Sequence, residues 1–82
     1  HEMNVGRYYL QNKEYISALN RFSTVTDNYQ KTAQLEEALY REIEVYSILG
    51  LTTEVERKIE VLNRQYPDGK WTKLAEKLIK KD

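Results

Sequence analysis

The sequence predicts an all-α fold: an α-solenoid of two helical hairpins finished by a C-terminal capping helix. One observation is the run Gly6–Phe22, which holds the end of one helix, a tight turn and the start of a second. Glycine in a helix interior costs roughly 1 kcal/mol against Ala, so Gly6 implies that another helix comes close. Tyr9 shares its face at i+3, and Ala18 and Phe22 stand at i, i+4 on the helix after the turn. A second observation is a repeat. An offset of 37 residues carries Tyr9 onto Tyr46 and Tyr29 onto Tyr66. The same shift carries Ala18, Phe22, Val25 and Tyr29 onto Val55, Ile59, Leu62 and Tyr66, a recurring 4-3-4 stripe. Such a stripe is the buried face of a helix, and a fixed period marks stacked units. Gly6 falls on Ile43 and Leu19 on Glu56, so the two copies have diverged. Strand signals are absent, and Pro67 is the only proline.

In chain order, Glu2 to about Gln11 reads as the first helix, with Val5, Tyr9 and Tyr8 inward. Asn12 is placed as the break and as the cap of the next helix, since its side-chain oxygen can accept from an orphan N–H. Residues 14–29 form the second helix, with Tyr15, Ile16, Leu19 and Phe22 as a broad apolar face. Thr32 caps a third and longest helix, Ala33–Leu49, which turns Ala38, Leu39, Ile43, Tyr46 and Leu49 to the core. Gly50 ends it, where a positive φ costs glycine little. Thr53-Glu54-Val55-Glu56 has the T-x-x-E form of a capping box and starts a helix over 53–65. Glu54/Lys58 and Glu60/Arg64 are in the favourable i, i+4 order and read as a solvated face. Tyr66-Pro67-Asp68-Gly69 stops that helix, and 70–80 form the last. The expected division is 1–32 and 33–67 for the hairpins, the first with a truncated start, and 68–82 for the capping helix.

The 82 residues carry 13 basic and 13 acidic side chains, a formal net charge of zero. That balance gives no electrostatic reason to bind nucleic acid or an anionic membrane. Cysteine is absent and His1 is the lone histidine, so thiolate and histidine metal sites are not expected, nor is a cofactor. No apolar run approaches the ~20 residues of a membrane span. No nucleophile–base pair or Gly-rich phosphate loop stands out, and an enzyme is not expected. The chain opens inside a helical pattern without an initiator Met, and it reads as a fragment.

Gly6, Tyr9, Ala18, Phe22 and Pro67 together resemble the tetratricopeptide repeat, which sets a small residue, Tyr, Ala, Phe and Pro over two antiparallel helices. The first copy keeps Gly6, Tyr9, Ala18, Phe22 and Val25, with Gln30 in the place of the terminal proline. The second keeps Tyr46, Val55, Ile59, Leu62 and Pro67, with Ile43 at the small position. More specific blocks are Gly6-Arg7-Tyr8-Tyr9-Leu10 and Ala18-Leu19-Asn20-Arg21-Phe22, with Glu37-Ala38-Leu39-Tyr40, Leu49-Gly50-Leu51 and Tyr66-Pro67-Asp68. These resemble the last repeats of the tetratricopeptide lipoprotein family of the outer-membrane β-barrel assembly machinery. The resemblance implies a non-catalytic scaffold at the periplasmic face of the bacterial outer membrane, tethered by a lipid anchor outside this fragment. It also implies that these repeats hold the periplasmic domains of the barrel-inserting subunit, with other assembly lipoproteins as further partners.

Arg21, with its neighbour Asn20, stands where the resemblance puts a partner contact, and its planar guanidinium suits a partner carboxylate. Arg7, Tyr40 and Glu44 fall where a repeat array lines its concave groove with first-helix residues. Arg7 and Glu44 are 37 positions apart, so that groove carries both signs. Tyr8 and Tyr40 are the tyrosines expected to be exposed for contact, whereas Tyr9, Tyr29, Tyr46 and Tyr66 belong to the core with hydroxyls at the rim. Trp71, Leu74, Ala75 and Leu78 form an apolar stripe, with Lys70, Lys73, Lys77, Lys80 and Lys81 elsewhere on the helix. That pattern suits a solenoid cap. Two alternatives stand beside the scaffold reading: a periplasmic repeat module of an envelope-division coordinator, and a peripheral membrane-binding helical domain using the basic last helix. A truncated first hairpin would leave Met3, Val5, Tyr8 or Leu10 partly uncovered, and self-association through that end is expected.

Overall fold

The computed structural model describes residues 1–28 and 32–80. Among the described residues there are five helices and no strand: α1 (Glu2–Gln11), α2 (Tyr15–Thr26), α3 (Ala33–Leu49), α4 (Thr52–Gln65) and α5 (Lys70–Lys80). α1 packs on α2 and α3 on α4, each pair joined by a short turn, and α5 lies chiefly along α3 with a smaller contact to α4. α3 touches every other helix. The fold is all-α and tetratricopeptide-like, with α5 as the lid.

The two hairpin turns are chemically the same. After α1, Lys13 takes φ 62°, its N–H donates to Leu10 O (3.0 Å) and the Glu14 N–H donates to Tyr9 O (2.9 Å). After α3, Gly50 takes φ 76°, with Gly50 N–H to Ser47 O (3.1 Å) and Leu51 N–H to Tyr46 O (2.9 Å). Both are Schellman motifs, which satisfy the last carbonyls of a helix, and the left-handed residues are again 37 apart. This corrects two expected caps. Asn12 closes α1, its side chain donating to Tyr8 O at 3.1 Å, and α2 starts from Glu14 without a side-chain cap. The T-x-x-E run is not a capping box either. The Schellman exit delivers Leu51 directly to the N-cap position, its carbonyl accepts from Val55 N (3.1 Å), and Thr53 already lies inside α4.

A lysine in the left-handed region carries a strain of roughly 1–2 kcal/mol, and glycine tolerates it at the cost of a more flexible unfolded chain. Lys13→Gly is therefore expected to stabilise the fold by about 0.5–1 kcal/mol. In thermal melts its Tm should rise by a few °C on the order set by a domain of this size, and Gly50→Ala should move it the other way.

α2 ends at Thr26, short of the expected 29: the Asp27 N–H still makes the helical bond to Ser23 O (2.8 Å), and the Asn28 N–H then tightens to an i→i−3 bond with Val25 O (3.2 Å). The expectations for Tyr29, Gln30, Lys31 and Lys81 lie outside the described residues. Thr32 caps α3 as expected, accepting from Leu35 N at 3.3 Å. The start of α5 is capped from a distance: the Glu36 carboxylate of α3 accepts the Trp71 N–H at 2.9 Å. Gly69 leaves room for it, since a Cβ there would collide with that carboxylate.

α3 is apolar on two sides. Ala38 and Val45 join Met3, Ala18 and Phe22 in one core, while Leu35, Leu39 and Ile43 join Val55, Leu62 and Ala75 in the other. Sequence reading assigned α3 a single stripe, so it missed Val45 and Leu35 and misplaced Leu49, which is exposed. Ile16 is likewise exposed, at 64%, and Tyr8, at 61%, stands as the contact reading expected and not inward on α1. Of the residues expected to be partly uncovered at the N-terminal end, Val5 and Leu10 are half-buried and Tyr8 is exposed, whereas Met3 is buried. Gly6 meets its expectation: a Cβ there would lie 2.5–3.0 Å from the Phe22 ring. On α5, Ala75 and Thr72 are buried, Trp71 and Leu78 are half-buried, and Leu74 is exposed.

Candidate functional site

The candidate residues fall in two separate places. On α1 and α3, Arg7 Nη1 donates to both oxygens of Glu37 at 2.8 Å, and its Nη2 donates to Asn4 Oδ1 at 2.6 Å. Glu37 Oε2 also accepts from Arg41 Nε (3.1 Å), and Arg41 Nη1 donates to Glu44 Oε1 (3.0 Å). Charges alternate along this ladder, and each bond in it from guanidinium to carboxylate is charge-assisted. The Arg41 guanidinium also stands 5.5 Å from the Tyr40 ring centre and 5.3 Å from that of Trp71, while Lys70 lies 5.2 Å from the latter. Tyr40 and Trp71 are themselves 5.3 Å apart.

Burial works against the Arg41 charge, but hydrogen bonds to Glu44 and Glu37 more than offset it and hold the guanidinium above its ordinary pKa. Burial, then the nearby Glu44 carboxylate, pushes the Tyr40 hydroxyl up. Arg7 thus ties α1 to α3 and Tyr40 packs α3 on α5, while Glu44 holds Arg41 along α3. Tyr40, expected to be exposed, is half-buried against Trp71 because α5 lies along α3 rather than beyond it.

Arg21 is different. Its side chain, 42% exposed, has one ionic contact among the described residues, Nη1 to Glu2 Oε1 at 3.2 Å, and the Glu2 side chain is itself 36% exposed. Asn20 beside it is exposed, its backbone carbonyl accepting from Thr24 Oγ1 at 3.1 Å. Tyr8 is exposed on α1 with its ring edge-on to Tyr9, 5.8 Å between centres.

A buried ionic cluster escaped sequence reading. Glu42 is 1% exposed, on the same α3 face as Ala38 and Val45. Its Oε2 accepts from Ser23 Oγ (2.9 Å) and Thr26 Oγ1 (3.2 Å) of α2. Its Oε1 lies 3.1 Å from Lys58 Nζ of α4, an ionic contact, with no aligned hydrogen bond to that oxygen among the described residues. Lys58 was expected to pair with Glu54 in solvent; Glu54 instead meets Arg57 at 3.7 Å. The spacing Ala38, Glu42, Val45 was the available signal, since an acid four residues after one core position and three before the next lies on the buried face.

No helix of the described residues is long and apolar enough to cross a membrane. A family of outer membrane lipoproteins, YfiO, matches residues 1–62. Among curated proteins, the chain is 47% identical over 79 residues to the outer membrane protein assembly factor BamD of Rickettsia prowazekii, covering 96% of this chain and 32% of that protein. It is 37% identical to the BamD of Caulobacter vibrioides over 95% of this chain and 26% of the relative. For the Xylella fastidiosa BamD the identity is 32%, over 89% of this chain and 25% of the relative. The chain therefore spans between a quarter and a third of the length of the curated relatives it matches. No solved structure matches it significantly.

Proposed function

The chain belongs to the YfiO family of outer membrane lipoproteins, and from that premise we propose that it is a non-catalytic protein–protein scaffold within an outer membrane protein assembly factor. It works at the periplasmic face and holds the periplasmic domains of the barrel-inserting subunit. The observation that carries this reading is the contrast between Arg21 and the two arginines of the ladder. Arg7 and Arg41 direct their donors to carboxylates of α3, whereas Arg21 has a single ionic contact, at 3.2 Å to the half-exposed Glu2, and stands beside the exposed Asn20. A half-exposed guanidinium with a single internal contact can exchange that contact for a partner carboxylate at little cost, because an exposed pair contributes only about 0–1 kcal/mol.

Arg21→Ala is expected to weaken binding to the purified periplasmic domains of the barrel-inserting subunit by about ten-fold, roughly 1.4 kcal/mol, with the helical circular dichroism unchanged. Glu2→Ala removes the internal competitor and should leave that affinity equal or tighter. A titration in which Arg21→Ala binds as well as the parent would refute the assignment.

A further inference from the structure

Between α4 and α5 runs an open groove of about 510 Å³, with Val55 and Ile59 of α4 and Ile79 of α5 along it. Ile79 is 44% exposed. The groove exists because α5 leans on α3 and makes only a small contact with α4. Its rims are acidic. Glu56 and Glu60 line it one turn apart on α4 and are exposed. Glu76 stands at i−3 from Ile79 and so shares its side of α5. Among the described residues none of the three carboxylates is in an ion pair, although the chain pairs Glu2, Glu37, Glu42, Glu44 and Glu54.

We propose that this groove is a docking surface for one amphipathic α-helix of another protein, with an apolar stripe flanked by Lys or Arg. The warrant is charge complementarity over an apolar floor. A helix laid in a groove buries residues at i, i+3, i+4 and i+7, and basic residues beside that stripe would meet Glu56 and Glu60 on the α4 wall, with Glu76 one turn before Ile79 on α5. A neutral or acidic helix would leave three carboxylates facing apolar or like-charged surface, which disfavours it. A second copy of the chain suits the groove poorly. Its basic helix α5 places Lys73, Lys77 and Lys80 on the face opposite the buried Ala75, with no apolar stripe between them. The surface is distinct from the one around Arg21, so its test stands independently of the scaffold reading.

The test titrates the chain with two fluorescent helical peptides of about 16 residues, identical in their Leu stripe and flanked by Lys in one and by Glu in the other. The Lys peptide is expected to bind at least about ten-fold tighter than the Glu peptide. Ile79→Ser should weaken it, and the Glu56→Lys/Glu60→Lys variant should reverse the preference. These side chains are exposed, so unchanged circular dichroism shows that the variants remain folded. Equal affinity for the two peptides, or binding indifferent to both variants, overturns the proposal. So does a dimer mass in light scattering that Ile79→Glu returns to monomer, since the occupant would then be a second copy.

Discussion

Lys58→Met is expected to destabilise the fold by about 3–5 kcal/mol, the cost of leaving a buried charge without its counter-ion. Lys58 is the only cation within ionic reach of Glu42 among the described residues, and Glu42 is almost wholly shielded from water. Ser23 and Thr26 supply two neutral hydroxyl donors, which solvate the carboxylate but do not balance its charge. Methionine keeps the aliphatic length of the lysine, so the loss reports the ammonium group. The double variant Glu42→Leu/Lys58→Met removes both charges, and a replaced buried pair is often neutral or stabilising. It should therefore recover most of the lost stability. Urea unfolding of the two single variants and the double variant gives the coupling energy directly. Additive losses across that cycle would mean that the ammonium contributes nothing to holding Glu42 inside.

Gly6→Ala is expected to destabilise by about 1–3 kcal/mol, against a helix propensity that favours alanine by roughly 1 kcal/mol. The propensity loses because the new methyl would sit 2.5–3.0 Å from three atoms of the Phe22 ring, which is fully buried and cannot swing into solvent. Close-packed interiors transmit such an overlap into off-rotamer side chains and backbone shifts. Adding Phe22→Leu should remove part of the penalty, since the shorter side chain vacates the space that the methyl needs. A Gly6→Ala variant that melts above the parent would show that α1 and α2 are not held together at this contact.

Gly6, Gly50 and Thr32 were legible beforehand because each answers to a constraint carried within a few residues or by one facing side chain. So were the ends of α1, α3 and α5. The end of α2 was not, since its last apolar positions continue a helical spacing that the Asp27 and Asn28 turn interrupts. Nor was the turn at Lys13, because lysine gives no sign of a left-handed conformation. Only the 37-residue register to Gly50 hints at it. Among the candidate site residues, their positions on helices were readable and their occupancy was not. Arg7 and Glu44 are absorbed into the ladder with Glu37 and Arg41, and Tyr40 lies against Trp71.

By itself the sequence determined the all-α class, most helix limits and the 37-residue repeat, because hydrogen bonding and apolar periodicity act over one or two helical turns. The tertiary structure alone decided which acid Lys58 serves, that Glu36 caps α5 and that α3 carries two buried faces. It also decided that α5 leans on α3 and leaves a groove beside α4. Long charged side chains reach across neighbouring helices as easily as along their own. A carboxylate withdrawn from water outcompetes an exposed one for a shared cation, so pairing follows how the helices are rotated and packed.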